Sequence, residues 1–363
     1  MKILLVTGGK SYEEKISVLT GIKVYHSLLA STSFQPILIY YDPNASKFYG
    51  GKNIDKLECY DNKEDFKEVK FLPDNHIKIG FKKYSFDLIF PLVHGSNAED
   101  GTMASFFQIL NYPVLSLPIQ AASIIQDKIL FKDILNILNI NTPKANFITF
   151  EDYQKNAFNI SKYLKDLTFP LIIKPYNLGS SIGINIADNI NKLYQAIDEG
   201  FKYADKIIIE EYIQDAEEYN IALLKDTNKI IFSAVEKIIK HHNQIYTYED
   251  KYLNTSLKKE VPAKINEDTL KTIQNYAEKV YSYLGLYGPV RFDFLVKDQV
   301  YLNEANSIPG NLSENLFNHI KLTLVDVIKI YIETSSNLIK SRLILKEKEI
   351  TSFEVLKQTR KYK

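Results

Sequence analysis

The stretch VRFDFLVKDQVYLNEAN, residues 290–306, carries the strongest fold signal in the chain. Apolar and polar side chains alternate over residues 290–294, and the apolar-rich runs 290–296 and 300–304 predict two half-buried strands. The short polar segment between them predicts an antiparallel hairpin whose two-residue turn is Asp298-Gln299. This turn fixes which residues of the two strands face each other.

Four polar side chains should converge on one face of this hairpin. The register places Asp293 opposite Glu304. It places Arg291 opposite Asn306, and alternation along the strands keeps all four on the same side. Opposed carboxylates repel unless a cation lies between them, and hard oxygen ligands suit Mg²⁺ bound together with phosphate oxygens. The alternative is a solvated sheet face with one ordinary ion pair.

The rest of the chain predicts α/β and α+β structure in three domains, over residues 1–117, 118–208 and 209–363. The first opens with a strand, a glycine turn and a helix, which is typical of an open α/β domain. The second, a small α+β module, opens with a single helix predicted over residues 119–138. Strands dominate the third until a helix near residues 268–284, which the hairpin follows.

A glycine- and serine-rich loop follows a buried strand in the central module. The strand over residues 169–174 ends at Lys174, and the sequence GSSIG occupies residues 179–183. Backbone N–H groups of such a loop can surround a phosphate while a lysine adds charge. It is not a Walker A loop, because no GKS or GKT follows its glycines, and a plain hairpin turn is the alternative. Taken alone, Lys128 on the preceding helix fits better as a lysine that reaches solvent from a helix surface.

Two polar residues stand at the rim of the first domain's sheet. His94 follows an apolar strand and Glu13 follows the first turn, so both lie near the strand ends where α/β folds bind ligands. The alternatives are that Glu13 stabilises a helix N-terminus and that His94 is a hydrogen-bonded loop residue.

Further candidates follow residue 207. Glu210 ends a strand, and either Glu217 or Glu218 comes within one short turn. Backbone groups at a strand end can bind an adenine edge, while an acidic side chain accepts hydrogen bonds from ribose hydroxyls. Residues 246–252 are polar and aromatic, and we interpret them as a lid loop.

The composition excludes several classes of protein. The 363 residues carry 45 Lys and Arg against 44 Asp and Glu, a net charge of +1, so no global field attracts nucleic acid or a membrane surface. A single cysteine, Cys59, excludes an internal disulfide and a cysteine-based metal site. No apolar run approaches a membrane span, and we expect a cytoplasmic protein. Arg291 is one of only three arginines, so its presence calls for a chemical explanation.

Taken in order, these motifs resemble the D-alanine–D-alanine ligase family of the ATP-grasp superfamily over almost the entire chain. The order of the motifs, rather than any one of them, carries the resemblance. The matching stretches are Gly8-Gly9-Lys10-Ser11 with Glu13, His94-Gly95 with Glu99-Asp100-Gly101, Asp127-Lys128, Lys174-Pro175, residues 179–183, Tyr248-Glu249 with Lys251-Tyr252, Arg291-Phe292-Asp293, and Glu304-Ala305-Asn306 with Pro309-Gly310.

The resemblance implies a three-domain ATP-grasp fold with an N-terminal pre-ATP-grasp domain, and ATP between the central and C-terminal domains. It implies that ATP phosphorylates one D-alanine carboxylate to an acyl phosphate, which the amine of a second D-alanine attacks. The product is the D-alanyl-D-alanine dipeptide of peptidoglycan. The expected cofactors are ATP and two Mg²⁺ ions, with Mn²⁺ as an alternative metal, and the expected assembly is a homodimer.

The same resemblance assigns roles to individual residues. The catalytic set is Glu13, Ser180, Tyr252, Arg291 and the Gly310 N–H, of which the last two would stabilise the oxyanion of the tetrahedral intermediate. The substrate set is His94, Tyr248, Asn315 and Leu316. The nucleotide set is Lys128, Lys174, Ser181, Glu210, Tyr212, Ile213, Glu218 and Lys251. The metal ligands are Asp293, Glu304 and Asn306.

Three positions depart from the common family pattern. Ala98 stands where a glycine usually precedes Glu-Asp-Gly, and Lys15 replaces a usual acid. Asn315 occupies a position where serine often contacts the carboxylate of the second substrate, although Asn can still donate a hydrogen bond. Compared with the family pattern, the chain has one extra residue around Asp215-Ala216. Glu217 and Glu218 therefore both remain open as the ribose ligand.

Two alternative functions remain open. One is a related ATP-grasp ligase that joins D-alanine to D-lactate or to another amino acid. Relatives that make the ester often carry histidine at the Tyr252 position, so Tyr252 favours the dipeptide. The other alternative is a nucleotide-binding regulator without turnover, which retention of the charged residues argues against.

Overall fold

The computed structural model describes residues 1–155, 158–227, 229–239 and 258–344, with side chains as far as residue 337. Within these residues the strands form three sheets, each with its own helices. The expected α/β and α+β fold class is confirmed. None of the described helices combines the length and the apolar character that a membrane crossing requires.

The first sheet is mixed. Its elements are β1 (Lys2–Gly8), α1 (Glu14–Leu29), β2 (Gln35–Asp42), β3 (Lys47–Gly51), α2 (Cys59–Asn62), β4 (Phe66–Leu72), β5 (His76–Ile79), β6 (Lys82–Ser85), β7 (Leu88–Pro91) and α3 (Thr102–Ile109). The strand order is β6-β5-β4-β3-β2-β1-β7, and β1 pairs in parallel with β2 and β7. Ile3, Leu4, Leu5 and Val6 are all fully buried, as expected for a parallel strand covered on both faces.

The central sheet is antiparallel. Its elements are α4 (Ile119–Gln126), α5 (Lys128–Ile137), β8 (Ala145–Thr149), α6 (Phe150–Tyr153), a 3₁₀ turn (Ile160–Lys162), β9 (Leu171–Pro175), β10 (Asn185–Ala187), α7 (Ile190–Gly200) and β11 (Lys206–Glu211). The order is β10-β9-β11-β8. Ile173, Ile207 and Ile209 pack with α7 on one face, and alternation directs Lys174 and Glu210 to the other.

The single helix predicted over residues 119–138 is wrong, because α4 and α5 are separate helices. Asp127 between them has an extended backbone, with ψ 103°. Its Oδ1 accepts hydrogen bonds from the N–H groups of Ile129 and Leu130, at 2.9 and 3.1 Å. Asp127 therefore caps a new helix, in which Lys128 is the first residue.

The third sheet holds the hairpin. Its elements are β12 (Glu217–Asp226), β13 (Lys229–Phe232), β14 (Glu236–Ile239), β15 (Lys258–Glu260), α8 (Glu267–Tyr283), β16 (Val290–Val296), β17 (Val300–Asn306), a 3₁₀ turn (Gly310–Ser313), α9 (Glu314–Asn318) and α10 (Leu324–Ile344). The order is β15-β14-β12-β16-β17, and β13 pairs with β12. The boundary predicted at residue 208 falls inside β11, which pairs only with strands of the central sheet.

The hairpin keeps the predicted polar pairs but not the predicted turn. Asp293 pairs with Glu304 and Arg291 pairs with Asn306. The two-residue turn is wrong, because Val296 pairs with Val300 and three residues connect the strands. A register shift next to Asp293 compensates for the longer turn, since such a bulge adds one residue to one strand.

Candidate active site

Three polar contacts each join two of the three sheets, either directly or through the segments attached to them. Between the first and central sheets, Ser180 Oγ donates to Glu13 Oε1. Between the central and third sheets, Lys128 Nζ lies 3.9 Å from Glu304 Oε2. Between the third and first sheets, Ser307 Oγ donates to the Glu99 carbonyl at 2.8 Å. The candidate site residues therefore meet where the three sheets approach each other.

Glu13 lies at the start of α1 in a tightly packed turn. Its N–H donates to Ser11 Oγ at 3.1 Å, and that hydroxyl donates to the His94 carbonyl at 2.7 Å. Gly95 has φ +80°, and a Cβ there would lie 2.8 Å from Glu13 Oε2. Glycine at residue 95 therefore leaves the space that the Glu13 carboxylate occupies.

His94 is buried, and both of its ring nitrogens face protein groups. Nδ1 lies 3.3 Å from Glu99 Oε1, and Nε2 lies 3.0 Å from Thr20 Oγ1. Its backbone N–H donates to Ser17 Oγ at 2.8 Å. These contacts fit a residue that supports the Glu13 turn, and the substrate contact assigned to His94 stays a prediction.

A buried cluster of two lysines and one glutamate lies on the face of the central sheet away from α7. Lys174, Glu210 and Lys132 are 5%, 2% and 7% exposed. Glu210 Oε1 lies 3.0 Å from Lys174 Nζ, and Glu210 Oε2 lies 2.6 Å from Lys132 Nζ. Burial alone would raise the pKa of the Glu210 carboxyl, but the charges of Lys132 and Lys174 outweigh it and lower that pKa.

Lys128 reaches from the start of α5 toward the third sheet. Its ammonium donates to the Leu178 carbonyl at 2.7 Å, directly before the 179–183 loop. Burial lowers the pKa of Lys128, while the nearby charge of Glu304 opposes this shift. Lys128 thus connects the loop that we predict to bind phosphate with the carboxylates that we predict to bind metal.

Arg291 and Asp293 form a bidentate ion pair on the site face of the hairpin. Arg291 Nε lies 2.6 Å from Asp293 Oδ1, and Nη2 lies 2.8 Å from Oδ2. Asn306 Nδ2 also donates to Asp293 Oδ2, at 3.1 Å. Burial lowers the pKa of Arg291, but the adjacent carboxylate reverses this and raises it.

The acidic groups here carry an excess of negative charge, which fits a metal site. Burial raises the pKa of the Asp293 carboxyl; the Arg291 charge opposes this, and the charges of Glu304 and Glu218 reinforce it. Among the described residues, no group of three or more His, Cys, Asp or Glu is arranged so that it could hold a metal ion. The donors that the resemblance assigns are the carboxylates of Asp293 and Glu304 and the amide of Asn306. Such oxygen donors suit Mg²⁺ that shares its remaining positions with phosphate and water.

The structure separates Glu217 from Glu218. Glu217 accepts from Lys237 Nζ at 2.5 Å and from the Tyr219 hydroxyl at 2.7 Å. Glu218 lies one residue along β12, on the face that it shares with Asn220, the partner of Asp293. The geometry favours Glu218 as the acid that faces the site.

The remaining assigned residues differ in what they offer. Gly310 is exposed, and a Cβ there would meet no atom within 4 Å, which leaves room for a substrate. Asn315 is exposed, whereas the Leu316 side chain is packed in the core, so only the backbone of Leu316 remains for a ligand. The half-buried residues are Ser181 in its loop, and Tyr212 and Ile213 directly after β11. Tyr248, Lys251, Tyr252 and the predicted lid lie outside the described residues.

Sequence reasoning missed the residues that support the site. Lys132 was not assigned, although it follows Lys128 by four residues and so shares its helix face. Glu99 and Ser11 belong to matching motifs, yet only the structure shows that they hold His94 and Glu13. The helical spacing was the available signal for Lys132.

Comparisons with known proteins agree over most of the chain. The family model described as D-ala D-ala ligase N-terminus matches residues 2–116, and the model described as D-ala D-ala ligase C-terminus matches residues 134–322. A D-alanine–D-alanine ligase of Borrelia recurrentis (strain A1) is 32% identical over 324 residues, which cover 87% of this chain and 88% of that protein.

Two solved structures extend the likeness to the fold. The D-alanine–D-alanine ligase from Helicobacter pylori is 27% identical with a TM-score of 0.72, over 91% of this chain and 98% of that chain. The VanG D-Ala:D-Ser ligase from Enterococcus faecalis is 25% identical with a TM-score of 0.77, over 92% and 99%. Both the sequence and the fold are therefore shared over nearly whole chains.

Proposed function

Since this chain belongs to the D-alanine–D-alanine ligase family of ATP-dependent, ADP-forming ligases, we propose that it joins two D-alanine molecules through a D-alanyl phosphate. The observation that carries the proposal is the placement of two lysines opposite paired carboxylates. Lys128 and Lys174 lie on the central side, and Asp293 and Glu304 lie on the hairpin. This arrangement suits a nucleotide triphosphate with its metal.

The nucleotide would lie between the central and third sheets. Lys128, Lys174 and Ser181 would bind its phosphates, and Lys251 would reach the γ-phosphate. The backbone of Tyr212 and Ile213 would bind adenine beside Glu210, whose two carboxylate oxygens face Lys174 and Lys132. Glu218 would bind the ribose. Asp293, Glu304 and Asn306 would hold Mg²⁺, or Mn²⁺, which when bound neutralises charge on the phosphate oxygens.

The amino acids would lie beside the contact between Glu13 and Ser180. These two residues with Tyr252 would position both substrates through hydrogen bonds. Arg291 has donors beyond the two that Asp293 accepts, and these with the Gly310 N–H would stabilise the oxyanion that forms when the amine attacks. His94, Tyr248, Asn315 and Leu316 would complete the substrate site.

The second substrate is the least constrained part of the proposal. The name of the Enterococcus faecalis relative specifies D-serine, and Asn315 is exposed at the position where we predict contact with that substrate. D-serine therefore joins D-lactate as an alternative to a second D-alanine.

We further propose domain boundaries after residue 117 and between Glu211 and Glu217. We also propose that the protein forms a homodimer and acts in the cytoplasm, and both of these proposals rest on family membership.

The decisive experiment is a phosphate-release assay with ATP, Mg²⁺ and a panel of D-alanine, D-serine, D-lactate and L-alanine, with the products identified by mass spectrometry. We expect D-alanine alone to support turnover and to give the dipeptide and ADP. Turnover only with a mixture of D-alanine and another acceptor would move the function to a mixed ligase. No acceptor-dependent turnover with purified, folded protein would indicate the regulator.

A further inference from the structure

We propose that Lys132 is a positioning residue for the nucleotide: it holds Glu210 in place, so that Glu210 can orient Lys174 toward the phosphates. This inference rests on the proposed ATP site and extends it to a residue that itself makes no predicted contact with ATP. Lys132 lies on α5, one turn after Lys128. It approaches Glu210 from the side opposite to Lys174, since the two lysines take different oxygens of the same carboxylate.

Three acceptors fix the Lys132 ammonium. It lies 2.6 Å from Glu210 Oε2, and it donates to Thr142 Oγ1 at 2.8 Å and to the Pro143 carbonyl at 2.9 Å. Two of the three ammonium protons are used by the hydrogen bonds to Thr142 and Pro143, and the charge of Lys132 faces the Glu210 carboxylate as an ion pair. Lys132 is therefore anchored to the segment before β8 and directed toward Glu210.

Lys174 is in the opposite situation. Among the groups that the structure describes, only Glu210 Oε1 accepts from its ammonium, at 3.0 Å. Two of its protons remain for another acceptor, although the residue is only 5% exposed. Glu210 thus holds the direction of Lys174 without saturating it, as a lysine that binds phosphate requires.

The charges of the cluster explain why a second lysine is needed. The charges of Lys132, Lys174 and Glu210 sum to one net positive charge on the face of the central sheet away from α7. When Lys174 shares its charge with phosphate, Glu210 would become a poorly compensated buried carboxylate if Lys132 were absent, and such groups are strongly unfavourable. Lys132 keeps Glu210 paired in both the free and the bound state, so it should favour the nucleotide complex.

The test compares Lys132→Met with Lys144→Met in steady-state kinetics with ATP and D-alanine. Lys144 is exposed and lines the same cavity of about 560 Å³ as Lys132, so its variant removes an equal charge without the Glu210 contact. We expect Lys132→Met to raise the KM for ATP about 10- to 100-fold, the usual scale of hydrogen bonds to charged groups. The kcat and the KM for D-alanine should change far less, and Lys144→Met should resemble the wild type.

A double-mutant cycle tests whether Lys132 acts through Glu210. In the Glu210→Gln background there is no carboxylate to hold, so Lys132→Met should change the KM for ATP much less than it does alone. If Lys132→Met does not fold, Thr142→Val removes one of the three contacts at nearly constant volume. That variant should raise the KM for ATP about two- to tenfold, the range of a single hydrogen bond.

The outcomes separate this inference from the function on which it rests. A wild-type protein that shows no D-alanine-dependent ATP turnover would contradict the proposed function. An active wild type with equal KM values for ATP in Lys132→Met and Lys144→Met would overturn the role of Lys132 alone. A fall in melting temperature of Lys132→Met with an unchanged KM for ATP would show that Lys132 only ties α5 to the segment before β8. If Lys132→Met does not fold, an unchanged KM for ATP in Thr142→Val would show the same.

Discussion

Arg291 is the residue at which a catalytic and a structural role are hardest to separate. Its bidentate pair with Asp293 would hold β16 in shape without any substrate. The same ion pair also holds the planar Arg291 guanidinium on the hairpin face that carries Glu304, which is the face of the candidate site. Substitution of Asp293 cannot distinguish the roles, because it would leave the half-buried Arg291 without its carboxylate partner and so also destabilise the fold.

We therefore predict that Arg291→Lys lowers kcat about 10²- to 10³-fold, the usual effect of removing one oxyanion donor. Lysine keeps the charge but lacks the planar fork, so it can pair with Asp293 or stabilise an oxyanion, not both. The KM for ATP should change little. Steady-state kinetics corrected for the folded fraction would measure the effect, and a preserved kcat with a lower melting temperature would assign Arg291 a structural role alone.

The hairpin shows how far the sequence determined the site residues. The pairs Asp293–Glu304 and Arg291–Asn306 were predicted correctly, although the assumed turn was one residue too short. A bulge is not visible in a hydrophobic pattern, but here it also returns Leu302 to the core while Glu304 faces the site. The sequence could not identify Lys132 as a residue that supports the site, because Lys132 acts through tertiary contacts and its partner Glu210 is distant in sequence.

At the scale of single elements, the turn after β7 makes a sharp demand on Gly95. A methyl group there would lie 2.8 Å from Glu13 Oε2 and 2.9 Å from Ser11 Cβ. We predict that Gly95→Ala displaces Glu13 and lowers kcat/KM for D-alanine at least about tenfold, since loss of a positioned charge-assisted hydrogen bond is of that order. Steady-state kinetics with D-alanine as the varied substrate would measure it.

Gly285→Ala is the matched control for this substitution. Gly285 also has positive φ, at +62° against +80°, but a Cβ there would meet no atom within 4 Å. Both variants should lose about 1 kcal/mol of stability through backbone strain, while only Gly95→Ala should impair D-alanine use. Equal kinetic effects would show that strain, rather than contact with Glu13, is responsible.

The N-terminus of α5 is a second element on which the site depends. Asp127 caps the helix whose first residue is Lys128 and whose next turn carries Lys132. We predict that Asp127→Ala lowers stability by about 1 kcal/mol and also raises the KM for ATP, because fraying would move both lysines. Denaturant unfolding and ATP kinetics on the same preparations would check the two effects.

Asn189→Ala provides the comparison. Asn189 caps α7, its Oδ1 accepting from the Lys192 N–H at 3.0 Å. That helix packs on the face of the central sheet away from Lys174. The same loss of stability with no change in the KM for ATP is expected, and a similar KM increase in both variants would attribute the effect to general destabilisation.

Elements with apolar patterns were predicted well, and those without were not. The strand and helix predicted to open the chain are β1 and α1, and the helix predicted near residues 268–284 is α8 (Glu267–Tyr283). The strands β3–β6 were missed, because their polar side chains give little periodic signal and their pairing is set by the sheet edge that β2 provides. The break between α4 and α5 depends on one capping side chain, which a continuous apolar periodicity conceals.

At the scale of the whole molecule, no single sheet contains the candidate site. Each of the three contacts at its rim joins two different sheets. The largest apolar cluster also runs from the first sheet into the third, through residues such as Leu92 and Phe292. A ligand that binds between the sheets should therefore stabilise the protein as a unit.

We predict that ADP with Mg²⁺ stabilises the folded protein by about 2.7 kcal/mol at a hundredfold excess over its Kd, as linkage requires for a ligand that binds only the folded state. Denaturant unfolding with and without nucleotide would measure this gain. Removal of the metal with EDTA should reduce it, because Asp293 and Glu304 would then repel the phosphates. In Glu304→Gln the added benefit of Mg²⁺ over nucleotide alone should shrink, while a benefit equal to that in the wild type would place the metal away from the hairpin.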